Sequence, residues 1–201
     1  VQSQISSADL RRIFVIEHFI EQTIPYDGTQ LSSLWAFRNF GFQGDSIVCF
    51  RGPCRVELPQ MVDLEDVRKD APIYSNDMLH FIIEHFSLDL EKTIIRQRLL
   101  MAVIKDVVEH ETGANLCRCG DDLYLGGLKL SVSIATLTPV STMIHTGLNV
   151  SSKDTPVPAV GLADLGLVGG EVAGLGRSVC SAYAGEYRDM QMARCKVRGV
   201  K

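Results

Sequence analysis

The sequence predicts a single α+β domain, and three observations carry that reading. From Asp121 to Val150 apolar residues recur at every second position, the period of β-strands. From Leu90 to Glu111 they recur at three-to-four spacing, the period of a helix with one apolar face. The 201 residues suffice for one domain with a sizeable core, and 46% hydrophobic with 22% charged residues is a globular composition, not a disordered one.

The elements follow in order. Ile13 to Ile16 reads as a strand and Tyr26-Asp27-Gly28 as a turn. Leu31 to Phe40 reads as a helix, with Leu31, Leu34, Trp35 and Phe37/Phe40 apolar and Gly41 as C-cap. Ser46 to Phe50 is a short strand, which Arg51-Gly52-Pro53 is expected to end in a turn. Ser75 or Asn76 can cap a helix running to Phe86. A longer helix follows from Leu90 to Glu111, with Ile94, Ile95, Leu99, Val103, Ile104, Val107 and Val108 as its stripe and Gly113 as its end. Asp122 to Leu125 is a strand, Gly126-Gly127 a turn, and Leu128 to Thr136 a longer strand. Pro139 turns the chain, and Val140 to Val150 returns. The glycine-rich but apolar stretch 157–176 reads as packed loop and helix starts, and Arg177 to Met192 as a last helix. Neither a repeat nor a domain boundary is visible, so residues 1–201 are read as one unit.

Charge and cysteine content exclude several classes. A net charge of −4 gives no reason to expect nucleic-acid binding, and the basic cluster of Arg188, Arg194, Lys196, Arg198 and Lys201 reads as a solvated tail. No secretory signal is visible, since Glu17 and His18 cut the first apolar run, so a cytoplasmic protein is expected. The stretch Leu130 to Ser152 is uncharged and long enough to span a bilayer, yet Ser, Thr, Pro139 and its period of two argue against a membrane span. Cys49, Cys54, Cys117, Cys119, Cys180 and Cys195 are read as reduced thiols, since Cys117-Arg-Cys119 is too tight for the usual zinc half-site.

The hairpin about Pro139 carries the candidate chemistry. Alternation puts Leu128, Leu130, Val132 and Ile134 on a core face and Lys129, Ser131, Ser133 and Ala135 on the other. On the returning strand Val140, Ile144, Leu148 and Val150, with Thr142 and Thr146, form the core set, and Ser141, Met143, His145, Gly147 and Asn149 the opposite one. If the polar sets pair, Lys129 lies near His145 or Gly147. Small hydroxyls, Gly and Ala make a poor solvent face but a good floor for a ligand; the plainer reading is a one-sided sheet facing water.

The run Arg118-Cys-Gly-Asp121-Asp122-Leu-Tyr124-Leu-Gly-Gly127-Leu-Lys129-Leu-Ser131 resembles the central motif of biotin protein ligases. In those enzymes a basic residue precedes a Pro-Asn-Asp turn and a short strand, and Gly-Arg-Lys opens the next strand. Ile144-His145-Thr146-Gly147-Leu148-Asn149-Val150 is similar to the Gly-Ile-Gly-Ile-Asn-Val strand that follows there. The whole chain also resembles an uncharacterised prokaryotic family of unknown function, through Gly-Asp-Ser-Ile-Val, Lys-Leu-Ser-Val-Ser-Ile-Ala and Pro-Val-Ser-Thr-Met-Ile-His. That family is grouped by fold with biotin and lipoyl ligases and class II aminoacyl-tRNA synthetases. The resemblance implies a mixed, largely antiparallel sheet backed by helices.

It further implies Lys129 as the catalytic residue, stabilising negative charge on a carboxylate or an acyl-adenylate phosphate. Asp122 is implied to fix Mg²⁺ or a ribose hydroxyl, with ATP and Mg²⁺ as cofactors. Arg51, Arg55, Arg118, Ser131, Ser133, His145, Gly147 and Asn149 complete the expected ligand-binding set. The family's arginine-rich loop has only Phe50-Arg51-Gly52-Pro53-Cys54-Arg55 as counterpart, and Arg118 and Asp121 stand where Lys and Asn are usual.

Three functions stay open at this point. One is an adenylate-forming ligase or acyl transferase acting on a carboxylic acid. Another is a module that binds a small acid or nucleotide without turnover, and the last is an oligomeric structural subunit, since such domains often self-associate. A nucleophilic thiol at Cys49, Cys54 or Cys119, assisted by His145 or Arg118, is a variant of the first.

Overall fold

A computed structural model describes residues 15–70 and 73–200. In chain order the first elements are β1 (Ile16–Ile20), α1 (Trp35–Phe40), β2 (Ser46–Val56), α2 (Leu64–Arg68), β3 (Ile73–His85) and α3 (Leu90–Thr112). Then come β4 (Cys117–Cys119), β5 (Asp122–Leu125), β6 (Leu128–Lys129), β7 (Ser131–Leu137), β8 (Thr142–Asn149) and α4 (Gly170–Ala193). Five strands form one sheet in the order β1-β2-β3-β8-β7, in which β1 alone runs parallel to its neighbour, and β4-β5-β6 form a small second sheet. The result is the mixed, largely antiparallel α+β arrangement that the sequence predicts. No helix among the described residues is long and apolar enough to cross a membrane.

The large sheet is buried on both sides. On one side Ile47, Cys49, Leu79, Phe81, Ile83, Ile144 and Leu148 pack against Leu100, Met101, Ile104 and Val108 of α3 and Val172, Leu175, Val179 and Tyr183 of α4. On the other side Val48, Phe50, Met78, Ile82 and Met143 are covered by Tyr26, Trp35, Ala36 and Met61 from the β1–β2 and β2–β3 connections.

That double burial explains the largest correction. Residues 75–85 of the segment expected as a helix belong to the central strand β3, which ends at His85. Leu79, Phe81 and Ile83 face the helices while Met78 and Ile82 face the other core, so the period is two. With both faces apolar the run reads as continuous rather than alternating, the pattern of a sheet covered on both sides.

Several boundaries also move. Ile13 and Phe14 lie outside the described residues, and β1 continues past Glu17 and His18 to Ile20. This is an edge strand, so its polar side chains can face outward, and His18 packs edge-on against Phe42 at 5.1 Å. β2 does not stop at Phe50; it runs to Val56 through a bulge between Gly52 and Cys54 that absorbs Pro53. Residues 31–34 are not helical, since Leu34 sits at φ 62° and donates its N–H to the buried Glu84 carboxylate at 2.8 Å. Gly41 does cap α1 and Gly113 caps α3, as expected. The last helix begins at Gly170, well before Arg177.

The buried stripe of α3 is rotated from the predicted one. Ile94 and Ile95 are exposed, while Thr93, Arg96 and Gln97 are buried. Hydrogen bonds make that tolerable: Gln97 donates to Ser133 and Asp121, and Arg96 to Ser87 and Tyr187.

Candidate functional site

A cleft of about 600 Å³ opens on the sheet face away from α3 and α4. Met78, Val132, Ile134, His145 and Asn149 line it from the sheet, Tyr26, Leu31 and Val56 from one wall, and Asp122, Tyr124 and Lys129 from another. The segments 60–66 and 155–159 complete the rim.

Lys129 is held by its backbone. Its N–H donates to Pro158 O at 3.1 Å, and its carbonyl accepts from Val160 N at 3.0 Å and from Asn149 Nδ2 at 3.3 Å. Gly126 and Gly127, at φ 57° and 85°, make the two-residue hairpin turn that pairs Lys129 with Tyr124. The ammonium reaches Asp122 Oδ2 at 2.9 Å, and both side chains are about a quarter to a third exposed, with room for a ligand to join the pair. Lys129 is thus a positioned cation on the cleft wall. It also pulls on Asp66, whose carboxyl is nonetheless raised, by burial first and then by Asp63.

The register of β7 and β8 differs from the expected one by an odd number of residues, which exchanges the faces. Ser131 pairs with Leu148, Ser133 with Thr146 and Ile134 with His145. Facing residues share a side, so Ser131 and Ser133 accompany the core residues Leu148 and Thr146, and Val132 and Ile134 stand beside Gly147 and His145. The strand breaks at Leu130, so Leu130 and Ser131 both end on the helix side; Leu128 and Val140, expected in the core, are exposed. Ser131 Oγ accepts Leu123 N–H, and Ser133 Oγ accepts from Gln97, so neither hydroxyl is offered to the cleft. Lys129 neighbours Asn149 rather than His145 or Gly147.

Gly147 is covered too, since a Cβ there would lie 2.8 Å from Met78 Cε. None of the three arginines lines the cleft. Arg51 makes a two-pronged ion pair with Asp77, Arg55 pairs with Glu57 in solvent, and Arg118 donates to Gly120 O on exposed β4. Of the expected set, Lys129, Asp122, His145 and Asn149 meet around one space, and Ser131 and Ser133 also line it with their hydroxyls taken up in internal hydrogen bonds.

Asp63, Glu65, Asp66, Asp121 and Asp122 line the cleft beside the single ammonium of Lys129. Asp121 accepts from Arg98 and Gln97, and Asp122 is engaged by Lys129. No cluster of three or more His, Cys, Asp or Glu side chains able to hold a metal exists among the described residues. Cys49 and Cys54 are buried away from the cleft; burial holds both as thiols, Cys54 pushed up to about 12 and Cys49 well above its ordinary range.

One cleft residue, Tyr26, and the buried His80 behind it are absent from the expected ligand-binding set. Tyr26 lies flat on His145, ring centroids 3.7 Å apart at 14°, and His80 of β3 lies beside both. His80 Nε2 is 3.2 Å from Gly52 O and its Nδ1 is 3.1 Å from His145 Nε2. A carbonyl can only accept, so His80 carries its proton on Nε2 and His145 donates its own Nε2–H to His80 Nδ1. Burial holds His80 down to about 4, and burial with the neighbouring His80 holds His145 well below the usual histidine range, so both rings are neutral. Strand alternation through Met78, His80 and Ile82 would have placed His80 on this face, had the segment been read as a strand.

Similarity to known proteins follows the same lines. A protein of unknown function from Pyrococcus horikoshi superimposes with a TM-score of 0.85 at 40% identity, over 93% of this chain and all of the other. Biotin protein ligase from Aquifex aeolicus, solved with biotin and ATP, gives 0.58 at 14% identity over 88% of this chain and 72% of the ligase. A T. acidophilum protein provisionally assigned as a lipoate protein ligase, with bound lipoic acid, gives 0.56 at 12% over 89% and 95%. At such identities the two ligases share the fold alone. In sequence, an uncharacterized protein of Methanocaldococcus jannaschii is 43% identical over 155 residues, 74% of this chain and 70% of that protein. With that relative and a family profile matching residues 10–198, the chain belongs to the family described as Domain of unknown function (DUF366).

Proposed function

We propose that the protein binds a small carboxylic acid, or its acyl-adenylate, in the cleft beside Lys129. The observation that carries this reading is the Lys129 ammonium, anchored at its backbone from two sides and held on the wall of an apolar-floored cleft, in a fold shared with ligases solved with biotin, ATP or lipoic acid. A fixed cation stabilises a carboxylate, and it stabilises more strongly the charge that builds on phosphate when a carboxylate oxygen attacks the α-phosphorus of ATP and pyrophosphate leaves. Lys129 would serve that step, with Asp122 holding the ammonium in place or turning to a ribose hydroxyl. ATP and Mg²⁺ are cosubstrates in this reading, the metal arriving with the phosphates.

A second reading is binding without turnover. It is favoured by β2, where Arg51 and Arg55, the counterparts of an arginine-rich closing loop, sit on a bulged strand rather than a loop and are paired with Asp77 and Glu57. Thermal shift with ATP, biotin, lipoate, octanoate and a non-hydrolysable acyl-adenylate tests the common core of both readings. ATP–pyrophosphate exchange then separates them, because only adenylate turnover gives exchange.

A further inference from the structure

The sheet end of the cleft holds a polar group that the Lys129 chemistry leaves unused. The proton chain from Gly52 O through His80 to His145 ends with His145 Nδ1 unprotonated, a hydrogen-bond acceptor. His145 is 3% exposed, and its Nδ1 has no hydrogen-bond partner among the described residues. Ser46 Oγ is the one side-chain polar atom there that is both wholly sealed and unpartnered, so Nδ1 retains access to the cleft that His145 lines. An acceptor that opens only to the cleft finds its donor there, and a bound group can supply one.

We propose that His145 Nδ1 reads the far end of the ligand by accepting a hydrogen bond from an N–H or O–H group. The ligand is then a carboxylic acid with a donor-bearing head, of the cyclic urea, amide or alcohol kind, rather than a plain acyl chain. This deepens the preceding reading and rests on it only for the Lys129 end.

The geometry supports such a ligand. Asn149, which holds the Lys129 carbonyl, and His145 lie four residues apart on one strand, about 13 Å at the usual rise. Met78, Val132 and Ile134 line the cleft near them and offer no competing polar side chain. Tyr26 stacked on the ring, and His80 bonded to its far nitrogen, leave His145 no freedom to turn that lone pair elsewhere. Gly52 secures the first link. A Cβ there would lie 2.0 Å from Ile24 O, so the bulge that presents the Gly52 carbonyl to His80 admits only glycine.

The test uses the intact chain labelled with ¹⁵N-histidine. NMR of the free protein should show His80 and His145 both protonated at Nε2, and 2-imidazolidinone, a cyclic urea, should move the His145 Nδ1 resonance. In calorimetry biotin, which carries ureido N–H groups, should bind about tenfold more tightly than octanoate, which has none, and His145→Phe should bring the two within about threefold. If no acid binds but the urea still moves Nδ1, the carboxylate reading falls and the donor-reading subsite stands. A protonated Nδ1 in the free protein overturns the subsite, as does a resonance that neither biotin nor the urea moves, or octanoate binding as tightly as biotin. The tautomer measurement needs no variant, so it decides even if His145→Phe does not fold.

Discussion

Lys129 and Gly52 illustrate how differently single residues act in this fold. The Lys129–Asp122 pair is partly exposed, and such pairs contribute at most about 1 kcal/mol. Lys129→Ala is therefore expected to leave urea unfolding within about 1 kcal/mol of the parent while removing ligand stabilisation. Gly52→Ala is the opposite case. The new methyl meets the Ile24 carbonyl, whose strand-like segment bonds back to Arg51 O and cannot retreat, so a loss of about 3 kcal/mol or more is expected in the same unfolding assay. A Gly52→Ala protein as stable as the parent would show that the crossing of residues 24 and 52 is not as described.

At the scale of elements, β3 organises the molecule. Phe81 is fully buried between the sheet and α3/α4, and Phe81→Ala is expected to cost about 3–5 kcal/mol in urea unfolding. A cost under about 1 kcal/mol would mean that Ile73–His85 do not form the central strand. This strand was the least legible element in the sequence, because apolar residues on both its faces erase the alternation that marks a half-buried strand. β5 and α3 were legible because each keeps a period and a glycine or turn at its end, while β8, though buried along its whole length, was marked by the Pro139 turn before it. The β7–β8 register was not, since a break at Leu130 and the turn at 138–141 shift it by an odd number of residues, and an odd shift exchanges the faces. Lys129, Asp122, His145 and Asn149 could be named from sequence because they lie on or beside that hairpin. Tyr26 and His80 could not, since only the full sheet brings them against His145.

At the scale of the whole molecule, the buried histidines tie stability to pH. The unfolded chain takes up a proton on each histidine near pH 6.5, while folded His80 does so only near 4 and His145 also well below the usual range. Between those values the unfolded state holds protons that the native state lacks, so acidification favours unfolding. The contribution is fully present above about pH 6.5 and is lost as pH falls toward 4, on the order of 3 kcal/mol for His80. Thermal melts across pH 7 to 4 should fall steadily, and more shallowly in His80→Asn. A midpoint flat over that window would contradict the neutral His80–His145 pair.

The central claim is that Lys129 holds an acid or its adenylate in the cleft, and calorimetric titration of a non-hydrolysable acyl-adenylate tests it most directly. The parent protein is expected to bind it and Lys129→Ala to bind at least about tenfold more weakly with its fold intact, a loss of about 1.4 kcal/mol. Equal affinity in the two proteins, or no binding to the parent by any of the biotinyl, lipoyl and octanoyl adenylates, would contradict the account.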